Sequence, residues 1–150
     1  MRGFPDLPPI WAFATAILAI FLSRRFPILE MRTPDAISWV LIAFGFIIII
    51  WSALYFLRLK TPIEPHHTPK VLIADGPYKV SRNPIYLGMF LGLLGVGLWT
   101  NTLIAVLVVL GFPIVIQSRF IRQEEDALRA QFGERAEAYF SATARWFIWF

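Results

Sequence analysis

Hydrophobic positions in this chain fall into long unbroken runs, and its polar residues are gathered between them. Residues 37–57 carry no charge, and Ile47, Ile48, Ile49 and Ile50 leave no polar face, which predicts a membrane-spanning helix stopped by Arg58 and Lys60. Residues 83–118 are also uncharged and too long for one helix, with a polar break at Trp99, Thr100, Asn101 and Thr102 whose side chains can cap helix ends. That pattern predicts a helical hairpin. Its first limb holds Gly88, Gly92, Gly95 and Gly97, suited to close backbone approach, and its second holds Gly111 and Pro113, where a kink is expected. Pro8 and Pro9 can open a first, shorter helix over 10–22, and Thr33-Pro34-Asp35 reads as a helix-start signal.

Between the spans, residues 61–82 form a long polar connection with prolines at 62, 65, 69 and 77, while Val71, Leu72 and Ile73 argue that part of it is ordered. Residues 119–139 mix charges with Phe120, Leu128, Phe132 and Tyr139, which predicts a polar helical region with one apolar side and a break at Gly133. The tail, 145–150, is too short to span and too apolar to be free, so it is expected in the membrane interface. The chain is thus read as one all-α unit, a polytopic membrane helical bundle of about four membrane helices with the hairpin in its C-terminal half.

Composition agrees: 57% of residues are hydrophobic and 16% charged, unlike a soluble globule. The net charge of +4 is scattered over connections and gathered on no helix or strand, which speaks for cytoplasmic-face bias and against nucleic acid. There is no cysteine, so disulfides and thiolate chemistry are excluded, and the proline-rich start carries no cleavage-type site, so the N-terminus is expected to be retained. Arg58, Lys60, Lys70, Lys79 and Arg82 place the long connection in the cytoplasm, with Arg24, Arg25 and Arg32 on the opposite side weighing against it.

Candidate chemistry centres on residues 76–88, where a rigid, proline-punctuated passage runs into the hairpin. Arg82 there is either a positive-inside anchor or a charge with a partner, since an arginine in hydrocarbon costs about 2.5–3.5 kcal/mol. Glu124 and Glu125 either form intrahelical pairs with Arg119 and Arg122 or, if the hairpin returns them to this passage, accept hydrogen bonds from ribose hydroxyls or an ammonium group. Tyr78 and Tyr86 suit a membrane interface or the face of a cationic cofactor such as a sulfonium. Adjacent His66 and His67 lack the spacing and companions of a metal site, and no phosphate loop or nucleophile elbow is present.

Gly76-Pro77-Tyr78, then Ser81-Arg82-Asn83-Pro84-Ile85-Tyr86-Leu87-Gly88, then Glu124-Glu125 with Phe132-Gly133 and Tyr139, closely resemble the isoprenylcysteine carboxyl methyltransferase and phospholipid methyltransferase superfamily of integral membrane enzymes. The resemblance covers residues 61–146 and implies a cytoplasmic pocket for S-adenosylmethionine, in the inner membrane, beside a lipid-like acceptor. It implies that Lys70, Val71, Leu72 and Ile73 line the adenosine through their backbone. Gly76, Tyr78, Asn83, Pro84, Ile85 and Tyr86 would complete the cradle, with Glu124 as the cofactor-binding glutamate. Arg119 or Arg122 would meet the acceptor. Asn83 stands where the prenylcysteine enzymes have histidine, and it cannot carry a proton near neutral pH. The acceptor is left open among a prenylcysteine-type carboxylate, a phospholipid amine and an isoprenoid. A non-catalytic membrane scaffold or lipid-binding protein is the alternative. A transporter is a weaker one, because no span carries an internal charge.

Overall fold

The computed structural model describes residues 6–27, 30–58 and 71–147. Among these the regular elements are all helical: α1 (Pro8–Arg25), α2 (Asp35–Arg58), α3 (Pro77–Val80), α4 (Pro84–Trp99), α5 (Leu103–Leu110), α6 (Phe112–Ile116), a π-helical turn (Gln117–Ile121), α7 (Arg122–Phe132) and α8 (Glu134–Ala142). Two stretches are long and apolar enough to cross a membrane, α2 and the column Leu103–Phe132 that strings together α5, α6, the π turn and α7. The apolar α4 is shorter, about 24 Å at 1.5 Å per residue.

α1 outruns its expected bounds at both ends. Pro8 and Pro9 fit the first turn, where their missing N–H groups have no helical partner to lose, and Arg24 and Arg25 extend the last turn, where cations suit the helix dipole. The hairpin forms with its turn where the polar break stands. Asn101 takes a left-handed φ of 53°, Thr100 Oγ1 donates to the Gly97 carbonyl, and the turn is tied to the α1–α2 connection by Met31 N–H donating to the Asn101 carbonyl at 2.7 Å. Where the kink is expected, α5 ends at Leu110 and α6 begins at Phe112; Gly111 between them keeps right-handed helical angles and Pro113 enters in the first turn of α6, so the limb continues past the interruption.

Packing is inverted relative to a protein in water. On α2 the buried residues are Ser38, Gly45 and Ser52, while Val40, Phe44, Ile47, Ile50 and Leu54 face outward. Lipid explains this, since apolar chains lose nothing there and small residues let helices approach. The buried three recur every seven residues, the 3.5-residue period of a seam, and along it Gly45 meets Gly88 and Ser38 meets Gly95 of the antiparallel α4. The largest apolar core lies on the other side of α4, where Leu93, Ala105, Val109, Phe112, Ile116 and Phe120 pack with Ala19 of α1. Both arrangements hold the start of α4 and the end of the long column at one end of the bundle.

Candidate active site

At that end the passage before α4 is shaped residue by residue. Gly76 has φ +60°, and the Tyr55 ring of α2 fills the space a Cβ would need, so only glycine fits here. Pro77 and Pro84 each open a helix, α3 and α4. Tyr78 is buried with its ring edge-on to Phe56, centroids 5.6 Å apart, and its carbonyl accepts the Tyr139 hydroxyl at 2.7 Å. Replacing Tyr139 by phenylalanine is expected to cost about 1 kcal/mol in thermal unfolding, the worth of one buried hydrogen bond.

The second wall comes from the long column, and the π turn decides which way it faces. Ala105, Val109, Phe112, Ile116 and Phe120 are buried at steps of three and four, and the wider turn then shifts the buried stripe to Ile121 and Glu125. The two neighbouring carboxylates consequently part. Glu124 accepts the Tyr86 hydroxyl of α4 at 2.5 Å. Glu125 turns the other way and is held by two arginines, its Oε1 accepting from Arg82 Nη1 at 3.1 Å and Arg145 Nε at 2.9 Å, and its Oε2 from Arg145 Nη2 at 2.6 Å.

Residues 144–145 form a strap closing the site. Arg82 N–H donates to the Ala144 carbonyl at 2.9 Å, and the Arg145 carbonyl accepts from Ser81 Oγ at 3.3 Å and Asn83 Nδ2 at 2.9 Å. Asn83 thus spends its amide N–H on positioning the strap. The Arg82 guanidinium lies 4.9 Å over the Phe140 ring. Burial draws its pKa down while Glu125 pulls it back, and the hydrogen bonds to Glu125 raise that of Arg145.

Of the residues singled out in the sequence, Gly76, Tyr78, Asn83, Pro84, Tyr86 and Glu124 converge here, with Ile85 half-buried beside them. Ile73 is buried, Leu72 packs on the Ala136–Tyr139–Phe140 cluster of α8, and Val71 is exposed. Lys70 lies outside the described residues, as do His66 and His67. Arg119 turns away toward α1, and Arg122 is exposed. Sequence reading missed Arg145, which it took for part of an interfacial tail. A lone cation in an otherwise apolar tail was the available signal that a partner waits for it. Trp146 likewise packs inward, its Nε1 donating to Gln117 Oε1 at 3.3 Å.

Two chemical features stand out. Glu124 is half-buried and, among the described residues, takes one side-chain donor, the Tyr86 hydroxyl, leaving acceptor capacity for hydroxyl or ammonium groups. The Tyr78 hydroxyl is buried and has no hydrogen-bond partner among the described residues. Burial pushes its pKa well above the ordinary phenol value, with Tyr139 and Glu124 adding to the effect, so it stays a protonated donor. A buried donor without an acceptor is costly unless a ligand supplies one. Among the described residues no three acidic or histidine side chains gather as metal ligands would.

Residues 31–135 match the family model described as phospholipid methyltransferase. The cobalt-zinc-cadmium resistance protein CzcN of Cupriavidus metallidurans is 33% identical over 89 residues, 59% of this chain and 37% of that protein. The nickel-cobalt-cadmium resistance protein NccN of Alcaligenes xylosoxydans xylosoxydans is 30% identical over 86 residues, 57% of this chain and 36% of that protein. The matched stretch thus spans little more than a third of each of these curated relatives. No solved structure matches.

Proposed function

We propose that the chain, which belongs to the phospholipid methyltransferase family, is a membrane methyltransferase of the phospholipid and isoprenylcysteine kind that uses S-adenosylmethionine to methylate a lipid-like acceptor entering from the bilayer. The observation that carries this reading is the Tyr86–Glu124 bond across the hairpin, with the buried Tyr78 hydroxyl, unpartnered among the described residues, within electrostatic reach of it. Those groups fit the donor's polar parts: Glu124 would accept from ribose hydroxyls or the ammonium, and Tyr78 would donate to an acceptor atom. Val71, Leu72 and Ile73, with Lys70 by resemblance, would meet the adenosine through the backbone, and the Asn83-Pro84-Ile85-Tyr86 turn would close the cradle. Gly76 lets that passage press against Tyr55.

When bound, the cofactor supplies a methyl group activated by its sulfonium charge. The protein's own contribution is orientation and exclusion of water by a pre-shaped, dry pocket. A carboxylate acceptor needs no proton removed, whereas an amine must first lose one. The pocket is assigned to the cytoplasmic face of the inner membrane on the strength of the lysines and arginines around it.

Calorimetry with S-adenosylhomocysteine on the detergent-solubilised protein tests the proposal. Saturable binding is expected, weakened about ten-fold or more by Glu124→Ala, the worth of a hydrogen bond to a charged group. No saturable heat with the wild-type protein would leave a non-catalytic lipid-binding scaffold. Incubation with a labelled methyl donor and a total lipid extract, followed by mass analysis, would then identify the acceptor.

A further inference from the structure

We propose that Arg145 and Trp146 are positioning residues of the active site: they tie the column that carries Glu124 to the passage that carries Tyr86, and by gripping Glu125 they aim Glu124. The strap is bonded on both sides. Toward the passage, the Ala144 carbonyl takes the Arg82 N–H, and the Arg145 carbonyl takes the Ser81 hydroxyl and the Asn83 amide. Toward the column, Trp146 Nε1 donates to Gln117 Oε1 at 3.3 Å, and Arg145 holds both oxygens of Glu125 at 2.9 and 2.6 Å. Gln117 opens the π turn and Glu125 lies beyond it, so the two contacts straddle that turn.

The π turn makes the double grip possible. On a regular α-helix two residues eight positions apart diverge by about 80°, which would turn one of them away from the strap. The extra residue of the π turn cuts the divergence to about 20°, so Gln117 and Glu125 face two consecutive strap residues together. With Glu125 held, its neighbour is set about 100° round the helix, where Glu124 meets the Tyr86 hydroxyl. Trp146 also packs against the apolar cluster that includes Tyr86, so the strap braces both partners of that bond. A half-buried carboxylate held by one hydroxyl is free to turn, and an anchor one residue away removes that freedom before a ligand arrives. The inference rests on Glu124 binding the methyl donor. It adds that Arg145 and Trp146, which need not touch the donor, set its affinity through Glu124.

Calorimetric titration of S-adenosylhomocysteine into the full-length protein tests this, with Arg145→Met and Glu124→Ala combined in a double-mutant cycle. Arg145→Met is expected to weaken binding about ten-fold when Glu124 is present and less than about two-fold when it is already alanine. Trp146→Phe, which keeps the packing and loses only the bond to Gln117, is expected to weaken binding about three-fold, and it serves if the Arg145 variant does not fold. Asn101→Ala, in the hairpin turn at the other end of the bundle, is expected to lower the melting temperature and leave affinity alone. Losses that add in the Glu124→Ala background, no loss from either strap variant, or an equal loss from Asn101→Ala would each overturn the proposal. A ligand-free readout uses the lack of native cysteine: Glu124→Cys is labelled with a water-soluble maleimide, alone and with Arg145→Met. Cutting the strap is expected to quicken labelling about five-fold or more, as local opening does. Quickened labelling with no S-adenosylhomocysteine binding by the wild type sinks the cofactor reading alone. Unchanged labelling, with normal wild-type binding, sinks this inference alone.

Discussion

Replacing Glu125 by alanine is expected to lower the unfolding free energy of the detergent-solubilised protein by about 3–5 kcal/mol, the usual cost of removing one partner from a buried ion pair. The side chain is only 4% exposed and answers two guanidiniums, Arg82 and Arg145. Without it two like charges face each other in a dry site, and the strap at 144–145 loses the side-chain half of its attachment. Arg145→Met is expected to cost less, because the Arg82–Glu125 bond survives and the strap keeps its backbone bonds to Ser81, Arg82 and Asn83. Thermal or denaturant unfolding followed by circular dichroism reads both. A change below about 0.5 kcal/mol for Glu125→Ala, the level of an ordinary surface substitution, would refute a stabilising role for this cluster.

The second large effect is expected at Gly45, where leucine should cost about 3 kcal/mol or more, at or beyond the upper end of ordinary overpacking. A Cβ at this position would lie 2.5 Å from the Gly88 carbonyl oxygen and 2.7 Å from the Gly92 nitrogen. Both obstacles are backbone, so no side chain can swing aside and the two helices must separate. The substitution makes α2 more hydrophobic, so its insertion into the membrane should not suffer, and a loss of stability would report packing alone. Ile47→Ala on the outward face is the control, expected to stay within about 0.5 kcal/mol. Equal stability of Gly45→Leu and the wild type would mean that α2 and α4 do not pack along this seam.

How much of this was legible beforehand varies from element to element. The hairpin could be read because an uncharged run of 36 residues has nowhere to fold in water and is too long for one helix, so its polar break had to be a turn. The break at Gly133 was equally legible, and there φ is +51°. The seam of Ser38, Gly45 and Ser52 went unread although its seven-residue spacing was in plain view, because the surrounding isoleucines dominated the pattern. The π turn after α6 could not be read, since an extra residue in a helix has no composition of its own.

The family-like order of the two polar blocks, the apolar lengths between them and the return of the second block toward the first were all set by the chain itself, because hydrocarbon admits only closed helices and a helix of given length ends where its apolar residues end. Which of two adjacent glutamates would face Tyr86 and which would be locked between arginines was not. Neighbours on a helix point about 100° apart, so one residue of register exchanges their roles, and that register is fixed by the π turn and by the packing of Phe120 and Ile121 against other segments. The tail arginine's place at Glu125 and the seat of Asp6 on Arg119, 113 residues away, were likewise decided only when the folded bundle brought distant charges to one end.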